Sequence, residues 1–275
     1  MKITANGITV NYAVAGEGDW LVLIHGAGDN LGIWYNQVPV FSRNYKVLTY
    51  DTRGHGQTEV TEDGYTAATW AGDLYGLLRT LGAGRAFVLG YSLGGMIASG
   101  FAVEHPEMVK ALVLVGVAGA AVGVGDRETW MRRRNEQIEL LETEGMLGIL
   151  RQRIDPVKAT MFSPGFAKKN PQVVRKYSDV FRESSAEGYR KVLESMGQRG
   201  RPVDFSAIGC PTLVIVGEAD VWSGPEAGTV LQQRIPGSGL VVIPTGHACQ
   251  LEQPDLFNET VLSFLEKTRR VGSPT

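Results

Sequence analysis

The stretch Phe87-Val88-Leu89-Gly90-Tyr91-Ser92-Leu93-Gly94-Gly95 runs from a short apolar segment into a serine flanked by glycines, and a helical pattern follows it through His105. A serine set as G-x-S-x-G between strand and helix is thrust out of the sheet on a sharp, strained turn. Side chains two positions to either side would crowd it, and Gly90 and Gly94 supply the clearance. A phosphate-cradling loop would also place glycines before a helix. Neither G-x-x-x-x-G-K-[ST] nor G-x-G-x-x-G occurs, so nucleotide binding is disfavoured.

Outward from this turn, the chain alternates strand and helix. Residues 2–16 read as a hairpin around Asn6-Gly7, and compact apolar runs follow at Trp20–Ile24, Lys46–Tyr50, Ala86–Leu89, Ala111–Val115, Thr212–Val216 and Leu240–Ile243. Runs rich in Val, Leu and Ile and bounded by Gly or Pro predict strands buried on both faces. Helical patterns cover Ala67–Leu81, Leu93–His105, Pro225–Arg234 and Asp255–Lys267. This alternation predicts an α/β fold with an eight-stranded, mostly parallel sheet covered by helices on both sides. The 35 glycines suit the many tight joints that such a fold needs.

The rhythm breaks once. Between residues 121 and 202 no strand-like run occurs, only helical patterns at Glu128–Leu141, Met146–Arg153 and Val173–Met196. We therefore expect a core domain of residues 1–120 and 203–275 with a helical cap, or lid, inserted at 121–202. Residues 126–201 carry 16 Lys and Arg against 11 Asp and Glu, a surplus that reads as solvated helix surface. Residues 269–275 read as a frayed tail.

A serine hydroxyl is a poor nucleophile at neutral pH and needs a base, for which histidine has the suitable pKa. Of the four histidines, His105 ends the helix that starts after Ser92, some four turns away; His55 lies in a loop after a strand; His25 ends a strand and braces the loop around it. His247, in Pro244-Thr245-Gly246-His247 after the last strand, is the expected base. The carboxylate that orients it is expected just beyond Thr212–Val216, at Asp220, with Glu218 as the local rival.

With the order Ser92, Asp220, His247 in place, the chain resembles the α/β-hydrolases over essentially its whole length. The resemblance rests on His25-Gly26-Ala27-Gly28, Asp51-Thr52-Arg53-Gly54-His55-Gly56, Gly90-Tyr91-Ser92-Leu93-Gly94, Gly217-Glu218-Ala219-Asp220 and Gly246-His247. It implies an oxyanion hole at the amides of Ala27 and Leu93, and a cap that shapes the acyl pocket. Trp34, Tyr91, Met96, Trp130, Met161 and Trp222 are the candidates for the substrate-binding wall, and one or two of Arg132, Arg133 and Arg134 for a substrate carboxylate. The wording from His25 to Trp34 and from Leu48 to Gly56 is similar to that of enol-lactonases of aromatic catabolism and small carboxylesterases. The carbon–carbon bond hydrolases of meta-cleavage pathways carry Gly-Pro-Gly after the His-Gly pair, where this chain has Gly28-Asp29-Asn30. Haloalkane dehalogenases carry aspartate in place of Ser92. The expected activity is cleavage of carboxylic esters or lactones through an acyl-enzyme. A carbon–carbon bond hydrolase and a non-catalytic, ligand-binding or signalling member are the alternatives.

Composition bounds the rest. A net charge of −2 offers no field for a phosphate backbone, so no nucleic-acid partner is expected. No apolar run approaches the roughly 18 residues of a membrane span. The N-terminal MKITANGITV lacks a signal peptide's apolar core, and Cys210 and Cys249 form no disulfide framework, so a cytoplasmic location is expected. No His, Cys or carboxylate cluster has metal-ligand spacing, and no metal or organic cofactor is expected. The expected partner is a small-molecule ester or lactone, met by a monomer or small homo-oligomer.

Overall fold

The computed structural model describes residues 1–117, 123–155, 157, 160–196 and 203–271. Its strands are β1 (Lys2–Ala5), β2 (Ile8–Ala15), β3 (Asp19–Ile24), β4 (Tyr45–Tyr50), β5 (Ala86–Tyr91), β6 (Val109–Val115), β7 (Thr212–Gly217) and β8 (Gly239–Ile243). Its helices are α1 (Val38–Phe41), α2 (Ala67–Thr80), α3 (Leu93–Glu104), α4 (Arg127–Arg153), α5 (Phe166–Lys169), α6 (Pro171–Arg182), α7 (Ala186–Met196), α8 (Pro225–Arg234), α9 (Cys249–Glu252) and α10 (Pro254–Val271). One sheet takes all eight strands in the order β1-β2-β4-β3-β5-β6-β7-β8. Antiparallel pairing is confined to β1–β2 and β2–β4, and every other pair is parallel. The expected α/β-hydrolase architecture is what the chain adopts.

The period of two along each central strand divides the core into two faces. Val22, Ile24, Val88, Leu112, Leu114, Val214 and Val216 pack with residues of α2, α3 and α8. Leu21, Leu23, Phe87, Leu89, Val113, Val115 and Ile215 pack with α1 and α10. Residues on β3, β5 and β6 are sealed on both sides, as parallel strands under helices must be. Asn6 and Gly7 turn the opening hairpin with φ of 48° and 78°, the left-handed pair that a two-residue hairpin requires.

Three expectations need correction. β8 is an edge strand with Val242 45% exposed, not buried on both faces, because no strand lies beyond it in the sheet. Val173–Met196 is not one helix: Glu183-Ser184-Ser185 separates α6 from α7, and the Ser185 hydroxyl accepts from the Gly188 amide at 3.1 Å. The tail begins later than residue 269, since α10 continues to Val271 and Arg269 lies 3.4 Å from Asp19; residues 272–275 lie outside the described residues.

Helices α4–α7 occupy the interval between β6 and β7. Gly145, with φ 64° and ψ −164°, breaks α4 where the sequence patterns at Glu128–Leu141 and Met146–Arg153 separate. Both ends of the expected 121–202 insert fall outside the described residues. Among the described residues no helix is long and apolar enough to cross a membrane.

Candidate active site

The order β4-β3-β5 reverses the direction in which the chain builds its sheet, and ligands of open α/β sheets bind beyond the carboxyl ends of strands near such a point. Ser92, Asp220 and His247 stand beyond the carboxyl ends of β5, β7 and β8. Ser92 has φ 54° and ψ −114°; apart from Asn6 it is the non-glycine residue with positive φ among those described. Such strain costs on the order of 1–3 kcal/mol and persists only where the surroundings impose it. Here they do. A Cβ on Gly90 would run into the Gly94 carbonyl, one on Gly94 into the Ile24 carbonyl, and one on Gly95 would lie 2.7 Å from Val117 Cγ2. The Ser92 amide donates to Val115 O at 2.8 Å, locking the turn to β6.

His247 Nδ1 lies 2.7 Å from Asp220 Oδ2, and both side chains are buried. Asp220 Oδ1 accepts from the amides of Trp222 (2.8 Å) and Ser223 (3.1 Å), and the Ser223 hydroxyl donates to Oδ2 at 2.7 Å. Burial works to raise the Asp220 pKa, but His247 and these donors outweigh it and hold the carboxyl below its usual range. Glu218, the rival, is exposed. Gly116 leaves room for the imidazole, since a Cβ there would sit 3.1 Å from His247 Cε1. Neither the Ser92 hydroxyl nor His247 Nε2 has a hydrogen-bond partner among the described residues, so both are open to a third party.

Ala27 lies in the loop after β3, and Leu93 opens α3, in the first turn, whose amides have no partner within the helix. The two segments touch: a Cβ on Gly94 would be 2.7 Å from His25 O, and one on Gly26 3.0 Å from Tyr91 Cε1. His25 braces this loop, with Nδ1 2.8 Å from Gly26 O and Nε2 accepting from the Thr52 amide at 3.0 Å. His105 is remote, stacked on Tyr75 with ring centroids 4.2 Å apart.

Five of the six expected wall residues fall into two groups. Tyr91 tilts against His247 with centroids 5.0 Å apart, donates its hydroxyl to Met161 Sδ at 3.3 Å, and meets the fully buried Trp34 edge-on. Trp130 and Trp222 lie together at 5.9 Å, with the Arg133 guanidinium 5.5 and 5.1 Å from their centroids. Met96 is half-buried on α3. The three arginines point three ways: Arg132 pairs with Glu136 in solvent, Arg133 faces the indoles, and Arg134 donates to Leu193 O.

Sequence reasoning missed several buried polar residues. Asp29 in the loop after Ala27 receives Arg153 Nη1 from α4 at 3.2 Å and the Tyr177 hydroxyl from α6 at 3.3 Å. Burial pushes the Asp29 carboxyl up to about 6, against the opposing pull of Arg153, His247 and Tyr177. Glu252 on α9 accepts from the Gly246 amide at 2.9 Å and from the Ser163 amide at 3.0 Å, tying the His247 loop to the segment between β6 and β7. Ser223 has a local signal, three residues after Asp220 in the same turn. Asp29, Arg153 and Tyr177 share no local pattern. Among the described residues no group of three or more His, Cys, Asp or Glu is placed to hold a metal ion.

Residues 19–254 match the family model described as the α/β hydrolase fold. The chain belongs to that family. It is 30% identical over 267 residues to 3-oxoadipate enol-lactonase 2 of Acinetobacter baylyi, covering 96% of each chain. It is similar to the crystal structure of the enol-lactonase from Burkholderia xenovorans LB400, with a TM-score of 0.85 and 31% identity over 97% of this chain and 100% of that one. A thermophilic esterase from Thermogutta terrifontis, solved with malate bound, gives a TM-score of 0.85 at 27% identity over 98% of both chains. The resemblance to enol-lactonases and small esterases is thereby borne out.

Proposed function

We propose that this chain is a carboxylic ester hydrolase, an esterase or lactonase that works through an acyl-enzyme on Ser92. The observation that carries the reading is the buried 2.7 Å contact of His247 with Asp220, together with a serine held at φ 54° with its hydroxyl unengaged, next in the chain to Tyr91, whose ring centroid lies 5.0 Å from that of His247. The named lactonase and esterase relatives support it.

In the proposed reaction, Ser92 Oγ adds to the ester carbonyl carbon while its proton passes to His247 Nε2, and Asp220 stabilises the imidazolium through Nδ1–H. The carbonyl oxygen takes the negative charge and is met by the amides of Ala27 and Leu93, where the α3 dipole also favours it. Collapse breaks the carbon–oxygen bond to the leaving group, which takes the proton from His247; in a lactone the leaving oxygen stays tethered to the acyl chain. Water then adds to the acyl carbon, gives a proton to His247, and the second collapse returns it to Ser92 and frees the carboxylic acid. No step draws on a cofactor.

Residues 121–202 act as the cap over this site, with Trp34, Tyr91, Trp130, Met161 and Trp222 shaping the acyl pocket. Support comes from the stitching of segment 160–163 to the acid and base loops: Trp222 Nε1 donates to Thr160 O at 3.1 Å and the Ala248 amide to Met161 O at 3.0 Å. The two free thiols, Cys210 and Cys249, fit a reducing, cytoplasmic setting.

The test is a panel of p-nitrophenyl esters of rising chain length beside several lactones. The expected outcome is turnover of at least one class by the parent protein and a loss of about 10⁶ in kcat in Ser92→Ala. Full activity in the alanine variant would remove the proposal.

A further inference from the structure

Arg153 is the last residue of α4, yet its guanidinium reaches the loop after β3. Nη2 donates to Ala27 O at 2.6 Å, and Nη1 donates to Asp29 Oδ1 at 3.2 Å. Nη1 also meets the Tyr177 hydroxyl at 2.9 Å and Nη2 the Tyr189 hydroxyl at 3.3 Å, while the plane lies 4.6 Å from the Phe181 centroid. The side chain is 13% exposed and its Asp29 partner 1%. A charge this far from water is held in place by all its partners at once, since losing any of them leaves a buried group unpaired.

The loop it grips is glycine-rich and is held at its start by His25, whose Nδ1 lies 2.8 Å from Gly26 O. Ala27 is flanked by Gly26 and Gly28, and Gly28 has φ 75°. A Cβ on Gly28 would lie 3.0 Å from Tyr189 and 3.1 Å from Arg153 Nη2, so the insert presses directly on the loop backbone. The Ala27 N–H shares its peptide plane with Gly26 O, which accepts from the Asp29 amide at 3.2 Å; Arg153 holds the other side of this turn through Ala27 O and the Asp29 carboxylate, so the clamp and the Gly26 bond together fix how the plane that carries the Ala27 amide is turned.

We propose that Arg153 is a positioning residue of the oxyanion hole: reaching down from the insert, it clamps the Ala27 carbonyl and the Asp29 carboxylate and so aims the Ala27 amide at the developing oxyanion. This rests on the Ser92 reading, and makes the insert a part of the catalytic apparatus as well as a wall of the pocket. Lysine in its place would have one nitrogen where the clamp uses two.

The experiment measures kcat and KM for p-nitrophenyl butyrate in Ser92→Ala, Arg153→Met and Arg153→Lys. It adds the Ki of an alkyl trifluoromethyl ketone, whose serine adduct places an oxyanion in the hole, and the melting temperature of each variant. Arg153→Met should lose about 100-fold in kcat, the scale of one oxyanion donor, with KM within threefold and Ki raised in parallel with the kcat loss. Arg153→Lys should recover about tenfold of that loss.

Arg153→Met at the parental kcat, or a kcat loss with Ki unchanged, would overturn the proposal. If the methionine variant does not fold, Arg153→Lys decides: a fall of about tenfold in kcat with a parallel rise in Ki supports the clamp, and parental values for both overturn it. Activity surviving in Ser92→Ala would instead remove the acyl-enzyme reading. A dead Ser92→Ala beside a fully active Arg153→Met removes only the clamp.

Discussion

At the scale of single residues, the Asp220 carboxylate is committed four times over, to His247, Trp222 and Ser223, before any substrate arrives. Removing its charge while keeping its shape should leave the imidazole in the wrong tautomer. Asp220→Asn is expected to cost about 10⁴ in kcat, while Glu218→Gln, at an exposed position, leaves it within a few-fold. Steady-state kinetics on both variants checks this, and the reverse ranking would reassign the acid.

The histidines outside the site carry a different expectation. His25 gives its Nδ1–H to Gly26 O and accepts at Nε2 from the Thr52 amide, so a second ring proton would point at another donor. Burial accordingly lowers His25 to about 4, and burial with the nearby His25 lowers His55 to about 3, from 6.5. Below about 6.5 the unfolded chain takes up these protons and the native one does not, so stability should fall as pH drops from 6.5 towards 4. Asp29, raised to about 6, works the other way, since the native state holds its proton in that window. Two groups outweigh one, and the urea midpoint should decline with acid; His55→Gln should flatten the decline, and a midpoint rising below pH 6.5 would contradict the assignment.

Among elements, α7 approaches the loop after β4 backbone to backbone. A Cβ on Gly188 would run into the carbonyl of Gly54, in the loop after β4. Because the obstacle is backbone, nothing can swing aside, and Gly188→Ala should cost roughly 1–3 kcal/mol or more by overpacking. Calorimetry should show a melting temperature lower by several degrees, and kcat should fall as well, since the next residue, Tyr189, holds Arg153. An unchanged melting temperature would mean that α7 sits elsewhere.

The segment at Trp130 and Met161 belongs to the same scale. One methylene in an apolar pocket is worth about 1–3 kcal/mol, so Trp130→Ala or Met161→Ala should shift chain-length preference by roughly 10- to 200-fold in kcat/KM. Preference held within twofold in both variants would take these residues out of the acyl pocket.

For the molecule as a whole, what a single chain reveals depends on how local the cause is. The Ser92 turn is local: five consecutive residues carry the strain and its clearance, and α3 follows where expected. Asp220 and His247 were legible because each stands a few residues past an apolar strand. The break at Ser184-Ser185 was not, because the apolar spacing of α6 resumes in α7 almost in phase and serine is only a weak breaker. The edge position of β8 was hidden because strand composition does not record sheet order. Arg153 and Asp29 lie 124 residues apart, and each alone reads as an ordinary surface charge. Only the folded chain brings them together. Charge on α4, α6 and α7 largely follows the solvated reading, with Arg132–Glu136, Arg182–Asp179 and Arg190–Glu194 pairing at exposed positions.

The acyl-enzyme on Ser92 is the claim on which the rest depends, and covalent trapping tests it most directly. The folded protein is treated with an alkyl p-nitrophenyl phosphonate, and the adduct is located by peptide mass spectrometry. One adduct per chain is expected, on the peptide containing Ser92, with esterase activity lost in step and no adduct in Ser92→Ala or in protein unfolded beforehand. An adduct on another residue, or persistent ester turnover by fully labelled protein, would contradict the account.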